Sequence, residues 1–441
     1  MSDGAIAASP QSRTVVGQGA PISLGLTWII TAATFAGSFS PRLMTISQPV
    51  FVAVYAAALA VAGTAAINQR IVNQDIKHIG WWSLLFTLWF IPVFLQEHHY
   101  VGWIFGDLAQ YSAPFLLYFV ARAYPNIFGR DNAIIYIGML IFGAIIATQF
   151  VHVSEDGRFQ PPRPILYGFA WWVAIHYRGL SWRRVCAWIL VVILIVLAWT
   201  STVRAAVVLW LLCGALIFLT RMRVRTGWIY LAAGTLLSAV ILGGLLAKGI
   251  SASRFSQIDF SNLGDSEFIA ERGVEVLDAW KYFSERMTPV QVVFGYGPGG
   301  TFRVSKLFAT LQLHSLENGR VNSDGFDHII HFGPMRLLFR WGLTGLFGYI
   351  FFGYLLFRDW WVVWRYGRYL REDYLFPAFY FGAMGMYLRY MLQPMENEWD
   401  FAYMLVGYLI LRQHYIPRLR MSSASPSGDA LGRVGSEIQS A

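Results

Sequence analysis

Residues 184–220 read RVCAWILVVILIVLAWTSTVRAAVVLWLLCGALIFLT. Two apolar runs, 184–200 and 203–220, are divided by the short polar step Thr200-Ser201-Thr202, and Arg204 is the one charge between Arg184 and Arg221. A helix of a soluble protein keeps a polar face, and these runs have none. Their length approaches the roughly 20 residues that cross a bilayer, so they read as consecutive membrane spans turning at Thr200–Thr202.

The same texture recurs outward from there. Of 441 residues, 56% are hydrophobic and 13% charged, against about 25% charged in soluble domains. That balance excludes soluble enzymes as well as disordered, coiled-coil and collagen-like chains. Twelve apolar segments stand out, at 22–38, 48–67, 80–95, 101–120, 133–150, 164–177, 184–200, 203–220, 228–246, 335–357, 374–391 and 400–414. The expected fold is therefore an all-α polytopic membrane protein of about twelve transmembrane helices. Cys186 and Cys213, 27 residues apart, form neither a metal-binding spacing nor a disulfide framework.

Orientation is read from the basic residues of the connections. With the N-terminus inside, the inner segments carry 19 Lys and Arg, while the short outer loops carry Arg42, Arg158, Arg163 and Arg204. A shift by one span reverses the bias. Twelve spans with both termini cytoplasmic is the consistent solution, and the net charge of +9 then reflects topology and gives no reason to invoke nucleic acid. Residues 1–21 form an N-terminal arm, 22–246 spans one to nine, 247–334 a large outer loop domain, 335–414 spans ten to twelve, and 415–441 a tail, Ser/Gly-rich from Ser422 and read as disordered. Loops as long as 247–334 usually have a role, and this one is expected to form a small structured cap on the bundle.

Four places in the chain carry chemistry. Within the loop, EFIAERGVEVLDAWKYFSER (267–286) has helical periodicity, with Ile269, Gly273, Val276, Trp280 and Phe283 on one face. Arg272 projects onto that face, where a guanidinium needs an anion, either a ligand or a carboxylate of the same loop, unless it snorkels to water. Arg204 comes after the capping residues Thr200–Thr202 and falls in a first turn that disfavours a cation. A bound phosphate offsets that cost; an interfacial anchor is the plainer alternative. In DGFDHIIHFGPMRLLFRWGLTG (324–345), Pro334 suits a first helical position, and His331 lies just before that N-terminus, whose dipole favours neutral imidazole. Neutral imidazole is what a general base needs; simple hydrogen bonding, or a metal held by Asp324, Asp327, His328 and His331, is the alternative. Arg336 and Arg340, four apart, are expected to make the outer mouth cationic. Finally, FGYGPGG (294–300) lacks the Lys-Ser/Thr of a phosphate loop and reads as a tight turn. Charges at membrane depth, Asp107 and Arg389 among them, are functional candidates.

Taken in order, these segments resemble the superfamily of bacterial O-antigen ligases and O-antigen or exopolysaccharide polymerases, over roughly residues 195–350. The elements are Ser201–Ala206 around Arg204, Arg254–Phe255, the helix with Arg272 and Trp280, Gly295–Gly299, and His331 with Gly342–Gly345 beginning eleven residues later. Phe332 stands where the family usually has Asn, and His328 is a second histidine one turn earlier. The resemblance implies a C-type glycosyltransferase-like enzyme working without metal or cofactor at the periplasmic face of the inner membrane. Its donor is an undecaprenyl-diphosphate-linked glycan, and its acceptor another lipid-linked glycan in a polymerase or lipid A core in a ligase. A chain-length regulator and a flippase join the membrane lipids as partners. It also implies that Arg204 and Arg272 hold the diphosphate and His331 is the base, with Arg254, His328, Asp327, Arg336 and Arg340 nearby. A polymerase is the leading expectation and a ligase the runner-up. A lipid-linked glycan flippase is the alternative of another class, disfavoured by the one-sided loop and the sparse span charges. Enzymes using polyprenyl monophosphate sugars typically carry acidic residues in the first outer loop, and FSPRLMTISQP has none.

Overall fold

The computed structural model describes residues 56–68, 73–96, 101–150, 163–176, 182–200, 204–222, 267–303, 333–366, 373–390 and 399–422, together with Gly25, Ala53, Phe326, Asp327, Ile330 and Leu370. The expected spans at 22–38 and 228–246, Arg254, His328 and His331 lie outside them. Of the described residues 90% are helical. The helices are α1 (Ala56–Ile67), α2 (Asn73–Phe90, extended by the 3-10 turn Ile91–Leu95), α3 (Val101–Ala123), α4 (Arg130–Phe150), α5 (Pro164–His176), α6 (Trp182–Thr200), α7 (Arg204–Leu219), α8 (Glu267–Arg286), α9 (Pro289–Phe294), α10 (Gly333–Tyr366), α11 (Leu375–Tyr390) and α12 (Trp399–Ser422). One small antiparallel ladder pairs β1 (Phe302–Arg303) with β2 (Phe326–Asp327).

Among the described residues, two helical stretches, Ile76–Leu95 and Gly333–Tyr366, are long and apolar enough to cross a membrane. Others carry apolar stripes on their outer faces. Helix α6 exposes Val185, Trp188, Ile189, Val192 and Val196, and buries Ala187, Val191, Leu194 and Leu197 against its neighbours. Helix α10 exposes Phe347, Ile350, Tyr354 and Trp361. In water such stripes would be an association hazard; in lipid they cost nothing. The architecture is compatible with an all-α membrane protein.

Helix α5 is the hub, buried along most of its length. It crosses α11 closely because the contact is made by glycines: a Cβ on Gly168 would sit 2.7 Å from the Ala378 carbonyl oxygen, and one on Gly382 3.0 Å from Ile165 Cα. Small residues at helix crossings are how backbones approach in lipid. Helix α7 runs parallel to α5. Trp171 Nε1 donates to the Trp210 carbonyl at 3.1 Å, and one helical stretch further His176 Nε2 lies 2.7 Å from Thr220 Oγ1. Helix α12 runs antiparallel to α11, with Tyr415 against Phe376 and Tyr408 near Tyr380.

These directions define two ends. The starts of α5, α7 and α10 share one end with the finish of α11, where the Gly333 backbone meets the Tyr390 carbonyl. The other end gathers Arg130, whose Nε donates to the Tyr374 hydroxyl at 2.9 Å, and the buried Asp359, which holds Arg412 and the Tyr408 hydroxyl.

One expectation needs correction. The inward face of α8 is Val276, Ala279, Tyr282 and Phe283, while Trp280 is half exposed. Ala279 is small enough to bring the helix close to its neighbours, and the contact face turns towards it and Tyr282. Within the expected loop domain, residues 289–300 pack against α2, α3 and α10.

Candidate functional site at the loop–bundle junction

Helix α10 is broken at Gly342, with φ 61° and ψ −152°, a conformation that essentially requires glycine. A helix end leaves carbonyls without intrahelical donors, and the loop supplies them. The Tyr296 N–H donates to the Phe339 carbonyl at 2.7 Å and the Gly297 N–H to the Arg340 carbonyl at 3.1 Å. Trp89 Nε1 adds a second donor to the Arg340 carbonyl at 2.7 Å. The Thr344 hydroxyl donates to the Trp341 carbonyl at 2.6 Å.

The turn that reaches in is the glycine-rich segment after α9. That short helix is fixed by a capping box, with the Thr288 and Gln291 side chains each serving the other's backbone N–H. Gly295, Gly297 and Gly299 all have positive φ, as expected of a tight turn. A Cβ on Gly297 would lie 2.7 Å from the Trp89 carbonyl oxygen, and one on Gly299 2.9 Å from the Ile104 backbone nitrogen. Glycine is needed here because the turn is pressed between α2, α3 and α10. Gln96 Nε2 ties the Tyr296 and Pro298 carbonyls at 2.6 and 3.2 Å.

At the centre is Asp107 on α3. One oxygen of its carboxylate, Oδ2, accepts the Gly299 N–H at 2.6 Å and forms an ion pair with Arg340 Nη1, also at 2.6 Å. Arg340 is wholly buried and Asp107 nearly so. Trp341 stacks on Trp89, centroids 3.9 Å apart and planes 2° from parallel, with Tyr111 at the edge of both rings. The expected cationic mouth is therefore revised: Arg340 is engaged inside the protein, and Arg336 is buried too.

A second apolar core sits beside this junction. Ala279, Tyr282 and Phe283 of α8 pack with Tyr296, Phe302, Ile330, Met335 and Phe339. Tyr296 stacks on Phe339 at 4.8 Å. Ile330, the residue before His331, is fully buried in this core.

The residues expected at the site come from several elements. Arg204 opens α7 at the same end of the bundle. Arg272 lies on α8, seven residues before Ala279, about 10 Å along the helix. Asp327 sits in β2, its Cα paired with Phe302 immediately after the glycine turn. His328, His331 and Arg254 lie outside the described residues, although Ile330 and Gly333 bracket the His331 position. Among the described residues no three His, Cys, Asp or Glu gather as a metal site would require. Sequence reading missed the joining of Asp107 to Arg340 and Gly299; the charge at membrane depth was the available signal, but its partners lie 192 and 233 positions away.

Comparison with known proteins finds no matching family model and no curated protein of significant similarity.

Proposed function

We propose that this chain is an inverting, metal-independent glycan polymerase of the bacterial inner membrane, joining undecaprenyl-diphosphate-linked oligosaccharide repeat units at the periplasmic face. The observation that carries this reading is convergence. The elements on which the resemblance rests are dispersed in sequence, yet the helix bearing Arg272, the glycine turn, Gly342 and the neighbour of His331 meet in one junction. The start of α7, with Arg204, opens at the same end of the bundle.

The chemistry suits these residue types. An acceptor hydroxyl attacks the anomeric carbon of the donor, displacing the diphosphate with inversion. His331 takes the hydroxyl proton. Arg204 and Arg272 stabilise the charge that develops on the leaving diphosphate, and their planar forks suit phosphate oxygens better than Lys. The lipid tail of the donor accounts for a site at a membrane surface.

Purified protein supplied with lipid-linked donor, normalised to folded protein, tests this. Arg272→Ala is expected to lower the rate about 10²–10³-fold, and His331→Ala about 10²–10⁴-fold with donor binding kept. Full activity in Arg272→Ala would overturn the diphosphate role. Loss confined to His328→Ala would move the base by one turn. Cells lacking the protein should accumulate single-repeat lipid-linked units; full-length polymer on the carrier would instead indicate the ligase.

A further inference from the structure

We infer that Asp107 is a positioning residue for this reaction: its buried carboxylate clamps the glycine turn to the first half of α10, the helix that begins two residues after His331. The inference rests on the polymerase reading for its activity arm and on the geometry alone for its structural arm.

Two groups from distant parts of the chain meet at one carboxylate from a third. Asp107 comes from the second turn of α3, Gly299 from the loop, and Arg340 from two residues before the break in α10. Both contacts are 2.6 Å and both are buried. The Gly299 contact is a charge-assisted hydrogen bond, the strong kind, and the Arg340 contact is an ion pair; in a low-dielectric surround the partners have little to exchange them for. Residue 340 is held twice, by its guanidinium on Asp107 and by its carbonyl beneath Gly297 and Trp89. The half-helix Gly333–Trp341 cannot slide without breaking both.

That half-helix follows His331 closely in the chain. It begins two residues after the histidine, packed on the Tyr390 backbone at Gly333, and its Met335 and Phe339 share a core with Ile330 and α8. A displacement of the clamp therefore moves the start of α10, two residues after the candidate base, relative to the Arg272 helix. Misplacement by about 1 Å can cost about 10²-fold in rate. Asp107 acts through Arg340 and Gly299, with no part in the bond-making itself.

The test uses the full chain in lipid nanodiscs, as wild type, Asp107→Ala and Asp107→Asn. Hydrogen exchange is read on the peptide covering residues 294–301 and, as an internal control, on α5 and α11. Asp107→Ala should speed exchange of the turn by about tenfold or more and leave α5 and α11 protected. Asp107→Asn keeps an oxygen for Gly299 but no charge for Arg340; it should show the smaller change and carries the test if the Ala variant does not accumulate. In the assay with lipid-linked donor, kcat per folded protein should fall about 10²-fold with the donor KM within about twofold, a split that mere loss of folded protein does not produce. Unchanged exchange in the turn would overturn the clamp. Faster exchange with unchanged kcat would overturn the positioning role. Wild-type protein that makes no polymer would sink the polymerase reading and the positioning role with it, while the exchange result would still decide the clamp.

Discussion

At Gly342 the requirement for glycine is set twice, by conformation and by space. Its φ of 61° with ψ of −152° is closed to residues with a Cβ, and a Cβ there would lie 2.5 Å from both the Gly295 nitrogen and the Val292 carbonyl oxygen. Those are backbone atoms that cannot swing aside as a side chain would. Gly342→Ala is expected to lower stability by at least about 1–3 kcal/mol from the backbone conformation alone, with the turn displaced as well. Thermal denaturation in detergent checks this, with Gly348→Ala as the control, since a Cβ on Gly348 meets open space. Equal melting temperatures for the two variants would mean that the break in α10 is not a fixed feature.

Helix α8 illustrates how an element can be right in extent and rotated in face. Its range of 267–286 is legible from periodicity, but periodicity alone points both Trp280 and Phe283 inward. Phe283 is buried with Ala279 and Tyr282, whereas Trp280 is 51% exposed. Phe283→Ala should therefore destabilise by about 3–5 kcal/mol, and Trp280→Ala by clearly less; the reverse order in detergent melts would restore the sequence-based face. At the start of α11, Asp373 caps the helix, accepting the Leu375 N–H at 2.8 Å and the Tyr415 hydroxyl at 2.5 Å. Burial raises its carboxyl above the usual carboxylate range, although the Tyr415 and Leu375 hydrogen bonds pull the other way. A raised folded value stabilises below the unfolded value of about 3.9, and that contribution is lost as pH rises through the folded value. The melting temperature of wild type minus that of Asp373→Asn should fall as pH rises from about 4; a flat or rising difference would contradict the assignment.

Among the described residues the Asp107–Arg340 ion pair lies at one end of the bundle and the Asp359–Arg412 pair at the other, and α6 and α10 carry exposed apolar stripes. In the orientation expected from the basic residues, the end with Arg130, Arg412 and Asp359 is the inner one and the loop–bundle junction the outer one. Cysteine accessibility tests the orientation in a Cys186→Ala background. Ser315→Cys should react with an impermeant reagent in intact cells, and Gly227→Cys should react only after the membrane is opened. The opposite pattern would invert the molecule and move the site to the cytoplasmic face.

The helical, lipid-compatible class is legible in the chain alone, because apolar runs without a polar face are a local property and need no partner to be read. The bounds of α8 and the tight glycine turn are legible too, since periodicity and glycine content are local. Where the turn goes is a matter of tertiary packing. Nothing near Gly299 in the chain announces Asp107, and nothing near Arg340 says that its charge is spent inside the protein. A buried arginine is stabilised by whichever carboxylate the fold brings within reach, and that carboxylate comes from a helix 233 residues earlier. The break at Gly342 is likewise invisible as a break, because glycine tolerates many conformations and the donors packed against the opened carbonyls, the loop's N–H groups and Trp89 Nε1, select this one.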